Sequence, residues 1–213
     1  MAETVYTIGH STHSIVRFIE LLKSQSITAV CDVRSQPYSR VNSQFNRESL
    51  QQALRMVEIK YVFLGRELGA RTEDRTCYRN GQVQYDLLAQ TGPFRNGIER
   101  VKEGSRSYCV ALMCAEREPL DCHRTILVSR KLFEEGLPIK HILGDGRVEE
   151  HKHAIDRLIA KLRINERDMF RSIDAVITEA YSRQGNEIAY REPTPDSPTS
   201  GRTPLKSISD SAR

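Results

Sequence analysis

No stretch of about eighteen or more apolar residues occurs anywhere in this chain of 213 residues, which excludes the usual membrane-spanning helix. A charged-then-apolar leader is missing too, because the chain passes directly into Thr4-Val5-Tyr6-Thr7-Ile8; a soluble, cytoplasmic protein is therefore expected. Cysteine is scarce and odd in number, at five, which suits reduced thiols better than a disulfide framework. Cys31 and Cys109 fall inside apparent strands and are expected to be inert core residues. There is no CxxC pair and no internal repeat. Charge of one sign is modest: a net +4 is compatible with an anionic partner and far from the basicity of a dedicated nucleic-acid coat.

What is there reads as α/β. Val5-Tyr6-Thr7-Ile8 is a first strand, Ser14 an N-cap, and Ile15, Phe18, Ile19, Leu21 and Leu22 the apolar stripe of a crossover helix. Thr28 to Val33 is a second strand, Glu48 to Glu58 a helix, and Lys60 to Leu64 a third strand. Residues 65–81 are polar and irregular, with Arg66, Arg71, Arg75 and Arg79 among acids, and are expected to be a solvated loop. Tyr108 to Met113 is a buried central strand and Pro138 to Leu143 a further one. This order predicts one three-layer domain over residues 1–165: a mainly parallel sheet of about five strands with helices on both faces and right-handed crossovers. A C-terminal helix is expected over 166–184. From 185 to 213 prolines lie among serines and threonines and aromatic residues end at Tyr190, so that tail is expected to be disordered.

The chemistry concentrates where the central strand gives way to a helix, in Cys114-Ala-Glu116-Arg-Glu-Pro119-Leu-Asp-Cys122-His123-Arg124. This stretch occurs together and in order with Ile8-Gly9-His10-Ser11, Asp32-Val33-Arg34 and Pro37-Tyr38-Ser39-Arg40. The set resembles the domain-of-unknown-function 488 family over about residues 4 to 143. The resemblance implies a small cytoplasmic α/β domain and no settled reaction, so function has to be argued from the site.

In a parallel sheet the loops after these strands converge on one edge, where ligands bind. That would gather Ser11, Asp32, Arg34, Tyr38, Arg40, His123 and Arg124 as ligand-binding groups around Cys122, Cys114, His10 and Glu116 as catalytic candidates. Cationic groups with a histidine and a stacking tyrosine suit an anionic, planar ligand: a nucleotide or a nucleic-acid base, including a modified base such as a thiolated one. Cys122 at a helix start beside Arg124 is the better candidate nucleophile, with Cys114 its rival. The structural alternatives are buried inert thiols with Asp121 as helix cap, an ion-pair network of Asp32, Arg34 and Arg124, and a core role for His10. No metal or other cofactor is expected, since adjacent Cys and His ligands at a helix start would need distortion to share one ion. The functional expectation is a nucleotide- or nucleic-acid-directed protein with cysteine-dependent catalysis. The alternatives are a non-catalytic nucleic-acid sensor and a thiol-dependent hydrolase of a small metabolite.

Overall fold

Short apolar runs flanked by amphipathic segments assemble as their periodicity predicts in the computed structural model, which describes residues 4–164 and 171–193. The elements are, in order, β1 (Val5–Gly9), α1 (Ile15–Ser24), β2 (Ala29–Asp32), α2 (Arg47–Arg55), β3 (Lys60–Phe63), α3 (Gly65–Leu68), β4 (Tyr78–Arg79), β5 (Gln82–Val83), α4 (Tyr85–Leu88) and α5 (Gly92–Ser105). There follow β6 (Val110–Cys114), a π-helical turn (Arg124–Ser129) running into α6 (Arg130–Glu134), β7 (Ile139–Ile142), β8 (Val148–Glu150), α7 (His151–Lys161) and α8 (Ile173–Ile188). The main sheet has the order β3-β2-β6-β1-β7-β8. Its first five strands are parallel, and β8 alone runs antiparallel, against β7.

The α/β, mainly parallel architecture is thus as expected, with six strands in the sheet rather than about five. The extra strand, β8, is short, exposed at Val148 and Glu150, and lacks the apolar run that marks the others. Residues 65–81 are also more ordered than expected: they hold α3, and β4 and β5 form a small hairpin. Its turn is Asn80-Gly81, both residues with positive φ, at 49° and 72°, the pairing that a two-residue hairpin turn of this hand requires.

The sheet separates two apolar layers. On one face Phe18, Leu21 and Leu22 of α1 and Leu50 and Leu54 of α2 pack on Ile8, Val30, Ala111 and Met113. On the other, α5, α6, α7 and α8 pack on Val5, Ala29, Val110 and Leu112. Alternation along β6 therefore feeds both cores, and burial of each large side chain contributes about 1.5–3 kcal/mol. Ser14 caps α1 as expected, its Oγ accepting from Arg17 N–H at 3.2 Å. The last helix is described from Ile173 to Ile188, residues 166–170 of the expected helix lying outside the described residues; the stretch from 185 to 188 is helical, and Arg191 bridges Gln82. Residues 194–213, where most of the expected tail lies, are outside the described residues. Among the described residues no helix is long and apolar enough to cross a membrane.

Candidate functional site

The carboxyl ends of β1, β2 and β6 lie side by side, and the backbone ties them together. His10 N–H donates to the Cys114 carbonyl and Ser11 N–H to the Ala115 carbonyl, each at 2.9 Å, while Val33 N–H donates to Met113 at 3.1 Å. Gly9 is indispensable here, because a Cβ on it would stand 1.9 Å from the Glu116 carbonyl oxygen. Absence of a side chain on β1 is what lets the Cys114–Arg124 segment fold back over the strand.

Two buried groups of polar residues occupy this edge. In the first, the Asp32 carboxylate and most of the Arg34 guanidinium are used internally. Arg34 grips Asp32 with Nε–Oδ1 at 2.9 Å and Nη2–Oδ2 at 2.7 Å, and donates further to the Phe45 carbonyl at 2.8 Å. Tyr61 Oη donates to Asp32 Oδ2 at 2.8 Å. His10 donates from Nδ1 to the Ser11 carbonyl at 2.9 Å and presents Nε2 to Arg34 Nη1 at 3.2 Å. Its ring stacks on Phe45. Burial, with Arg34 nearby, lowers the His10 pKa to about 4, so the ring is neutral. Arg124, fully buried, braces the returning segment by donating from Nη1 to the Glu116 carbonyl at 2.8 Å.

The second group is Cys114, Glu116, Cys122 and His123. Cys122 ends a single 3₁₀ turn (Pro119–Asp121) in extended backbone, and its carbonyl accepts from Thr125 and Ile126 N–H. It therefore stands at the N-terminus of the helix that follows. Asp121 does not cap that helix: its carboxylate pairs with Lys161 at 2.8 Å and receives Gln184 Nε2 at 3.2 Å. His123 donates from Nε2 to the Val33 carbonyl at 3.0 Å, which turns Nδ1 toward both sulfurs, 3.7 Å from Cys114 Sγ and 3.9 Å from Cys122 Sγ. Glu116 is exposed as a residue, yet its Oε2 lies 2.9 Å from the buried Cys122 Sγ.

The electrostatics of the two thiols diverge. Burial alone would raise Cys122, but a hydrogen bond from Cys114, the Arg124 guanidinium and His123 hold it well below the ordinary thiol range. Burial and the Cys122 negative charge push Cys114 up. Crowding by protein and the same charge raise Glu116, and the charge raises His123 against its burial. Cys31, by contrast, is pushed by burial up to about 12, as suits an inert core thiol.

Above this floor opens a pocket of about 420 Å³. Its walls include Arg34, Ser35, Gln36 and Tyr38 from the segment after β2, Ala70 and Arg71 after α3, Tyr85 at the start of α4, and Ile188 and Tyr190 at the end of α8. Cys114, Glu116 and His123 line its base.

The family model described as Domain of unknown function DUF488 matches residues 14–131. The chain belongs to this family. The DUF488 match takes in Asp32, Arg34, Tyr38 and the whole Cys114–Arg124 segment, and begins just beyond His10 and Ser11. No curated protein and no solved structure matches the chain.

Of the residues singled out in this DUF488 chain, Arg34, Tyr38, Cys114, Glu116 and His123 line the pocket, and Cys122 lies directly beneath them. His10, Asp32 and Arg124 instead form the buried frame that holds the strand ends. Ser11, with a φ of 48°, makes the turn after β1. Arg40 is exposed and outside the pocket wall. Tyr61, Arg71, Tyr85 and Tyr190 escaped sequence reasoning as pocket or frame residues. The single signal for Tyr190 was that it is the last aromatic of the chain, set in a segment poor in apolar residues. Adjacent residues on a regular helix point in different directions, and the backbone here departs from that pattern. Cys122 is extended (φ −135°) and His123 helical (φ −60°), and this break brings both side chains to the same point.

Proposed function

We propose that this pocket receives a nucleotide, free or within a single strand, and that the Cys114, Glu116, Cys122 and His123 floor acts on the edge of its base. The observation that carries the reading is the pairing of an aromatic wall with one cation. Arg71 lies over the Tyr190 ring at 4.3 Å and forms no ion pair among the described residues, while Tyr38, 58% exposed, and Tyr85 flank the same opening. A base stacks on such tyrosines irrespective of its identity, and an arginine at the rim meets its phosphate. Asp32 and Arg34 act as positioning residues, since most of the Arg34 guanidinium is taken up by Asp32, Phe45 and His10.

The floor favours an enzyme over a passive sensor. Two thiols, a carboxyl and an imidazole converging on one pocket base, with the two thiols driven apart in pKa, are more than recognition of a planar ring needs. The test is binding of mononucleotides and short single-stranded oligonucleotides, followed by calorimetry and fluorescence anisotropy at low and moderate salt. Affinity is expected to fall with salt and to drop by about 1–3 kcal/mol in Tyr190→Ala, with Arg71→Ala abolishing much of the salt dependence. Absence of salt-sensitive binding to every nucleotide tried would overturn the reading and point to a small neutral substrate.

A further inference from the structure

We infer that Cys114, Cys122 and His123 form a binding site for a divalent transition-metal ion of zinc(II) type, with its remaining coordination position open to the pocket. The three donor atoms, Cys114 Sγ, Cys122 Sγ and His123 Nδ1, lie within 4.8 Å of one another. With metal–sulfur and metal–nitrogen bonds of roughly 2.3 and 2.0–2.1 Å, a tetrahedral centre places its nitrogen about 3.6 Å from each sulfur. The observed separations are 3.7 and 3.9 Å. In its neutral form the imidazole has the tautomer a ligand needs, because committing Nε2–H to the Val33 carbonyl leaves the Nδ1 lone pair toward the sulfurs.

The donor set also selects the ion. Two thiolates and one imidazole suit zinc(II), and three protein ligands rather than four are the mark of a site with an open position. The opening is on the pocket side, since Cys114 and His123 both line it. Glu116 lies beside the donors and is not one of the three. On binding, two metal–sulfur bonds and one metal–nitrogen bond form and the protons of the two thiols are released, with no change of oxidation state. Glu116 is placed to accept the proton of Cys122, to which it is already hydrogen bonded. The inference does not depend on what the pocket binds: failure of nucleotide binding leaves it intact, and its own failure leaves the nucleotide reading intact.

The test uses the full chain, reduced with a phosphine, freed of metal by chelation and titrated with cobalt(II) and then zinc(II). One equivalent of cobalt(II) is expected to produce thiolate-to-cobalt charge-transfer absorption with the strong d–d bands of a tetrahedral centre, and zinc(II) to displace it. Cys114→Ser, Cys122→Ser and His123→Gln should each weaken binding more than tenfold, while Cys109→Ser should leave it unchanged. A measurement that needs no variant is alkylation mapped by mass spectrometry: zinc(II) should slow modification of Cys114 and Cys122 and leave Cys109 unaffected. A folded, reduced chain without the charge-transfer band, or bands that survive both Cys122→Ser and His123→Gln, would overturn the inference.

Discussion

Two of the buried histidine clusters on this sheet, at the pocket base and under the helical cover, differ in what their nitrogens face. Between the sheet and its helical cover, Thr7 Oγ1, His141, His151 and Tyr181 Oη form one unbroken chain, with links of 2.7, 2.9 and 2.8 Å. Every ring nitrogen in it has a partner, both histidines are neutral, and the chain is fully enclosed; it fastens β1 and β7 to α7 and α8. At the pocket base, His123 uses one nitrogen on the Val33 carbonyl and turns the other to two sulfurs. Closed satisfaction marks a structural network, and converging donors beneath an opening mark a site. The residue type is the same in both; the geometry of the second nitrogen separates them.

Acid should break this comparison first and most strongly. Burial lowers His151 from 6.5 to about 4 and lowers His141 well below its ordinary value. Between those pH values the unfolded chain binds more protons than the native one. Stability should therefore fall as pH drops from 6.5 to about 4, by roughly 3 kcal/mol for His151 alone. His10 shifts in the same direction and adds to the loss. His123 has the opposite sign: its pKa is raised, so its contribution is present below the unfolded pKa and lost as pH rises through the native one. Urea unfolding across this range, repeated with His151→Phe, isolates the closed chain, and an acid limb of unchanged steepness in the variant would refute the assignment.

At neutral pH the next largest effect is His151→Phe itself. It leaves His141 Nε2 and Tyr181 Oη without partners in the interior, at a cost of about 1–3 kcal/mol each. Nucleotide affinity should be unchanged. Tyr181→Phe opens only the last link and should cost about 1 kcal/mol, read as a small drop in melting temperature. Its ring also carries Arg130 at 4.8 Å, a contact that phenylalanine keeps.

The contrast also explains what the sequence could reveal. β1, β2, β6 and β7 are apolar runs with buried faces, and their shared direction brought Asp32, Cys114 and Glu116 to one edge, as a parallel sheet must. β8 was illegible because Val148-Glu149-Glu150 has no apolar periodicity and pairs only as an edge. Gly185 reads as a helix stop, yet α8 runs through it without a positive φ, in contact with Tyr85. Tyr85 and Tyr190 meet across the pocket from positions 105 residues apart, and no local pattern announces such a pairing.

The smallest effect on stability should come from the pocket base, and there the two clusters part most clearly. Cys114→Ala removes one buried heavy atom, at a cost of about 1 kcal/mol, and takes one of two sulfur contacts from His123 Nδ1, which keeps Cys122 Sγ at 3.9 Å while Nε2 keeps the Val33 carbonyl. The thermal transition should fall by about 2–4 °C. Yet the variant takes away the thiol whose hydrogen bond helps hold Cys122 below the ordinary thiol range, so the pH midpoint for alkylation of Cys122 should rise. Substitution in the closed chain should do the reverse, lowering the melting temperature and leaving Cys122 reactivity as it was. A Cys114→Ala protein that loses as much stability as the His151→Phe protein while Cys122 titrates unchanged would make both clusters structural and remove the distinction.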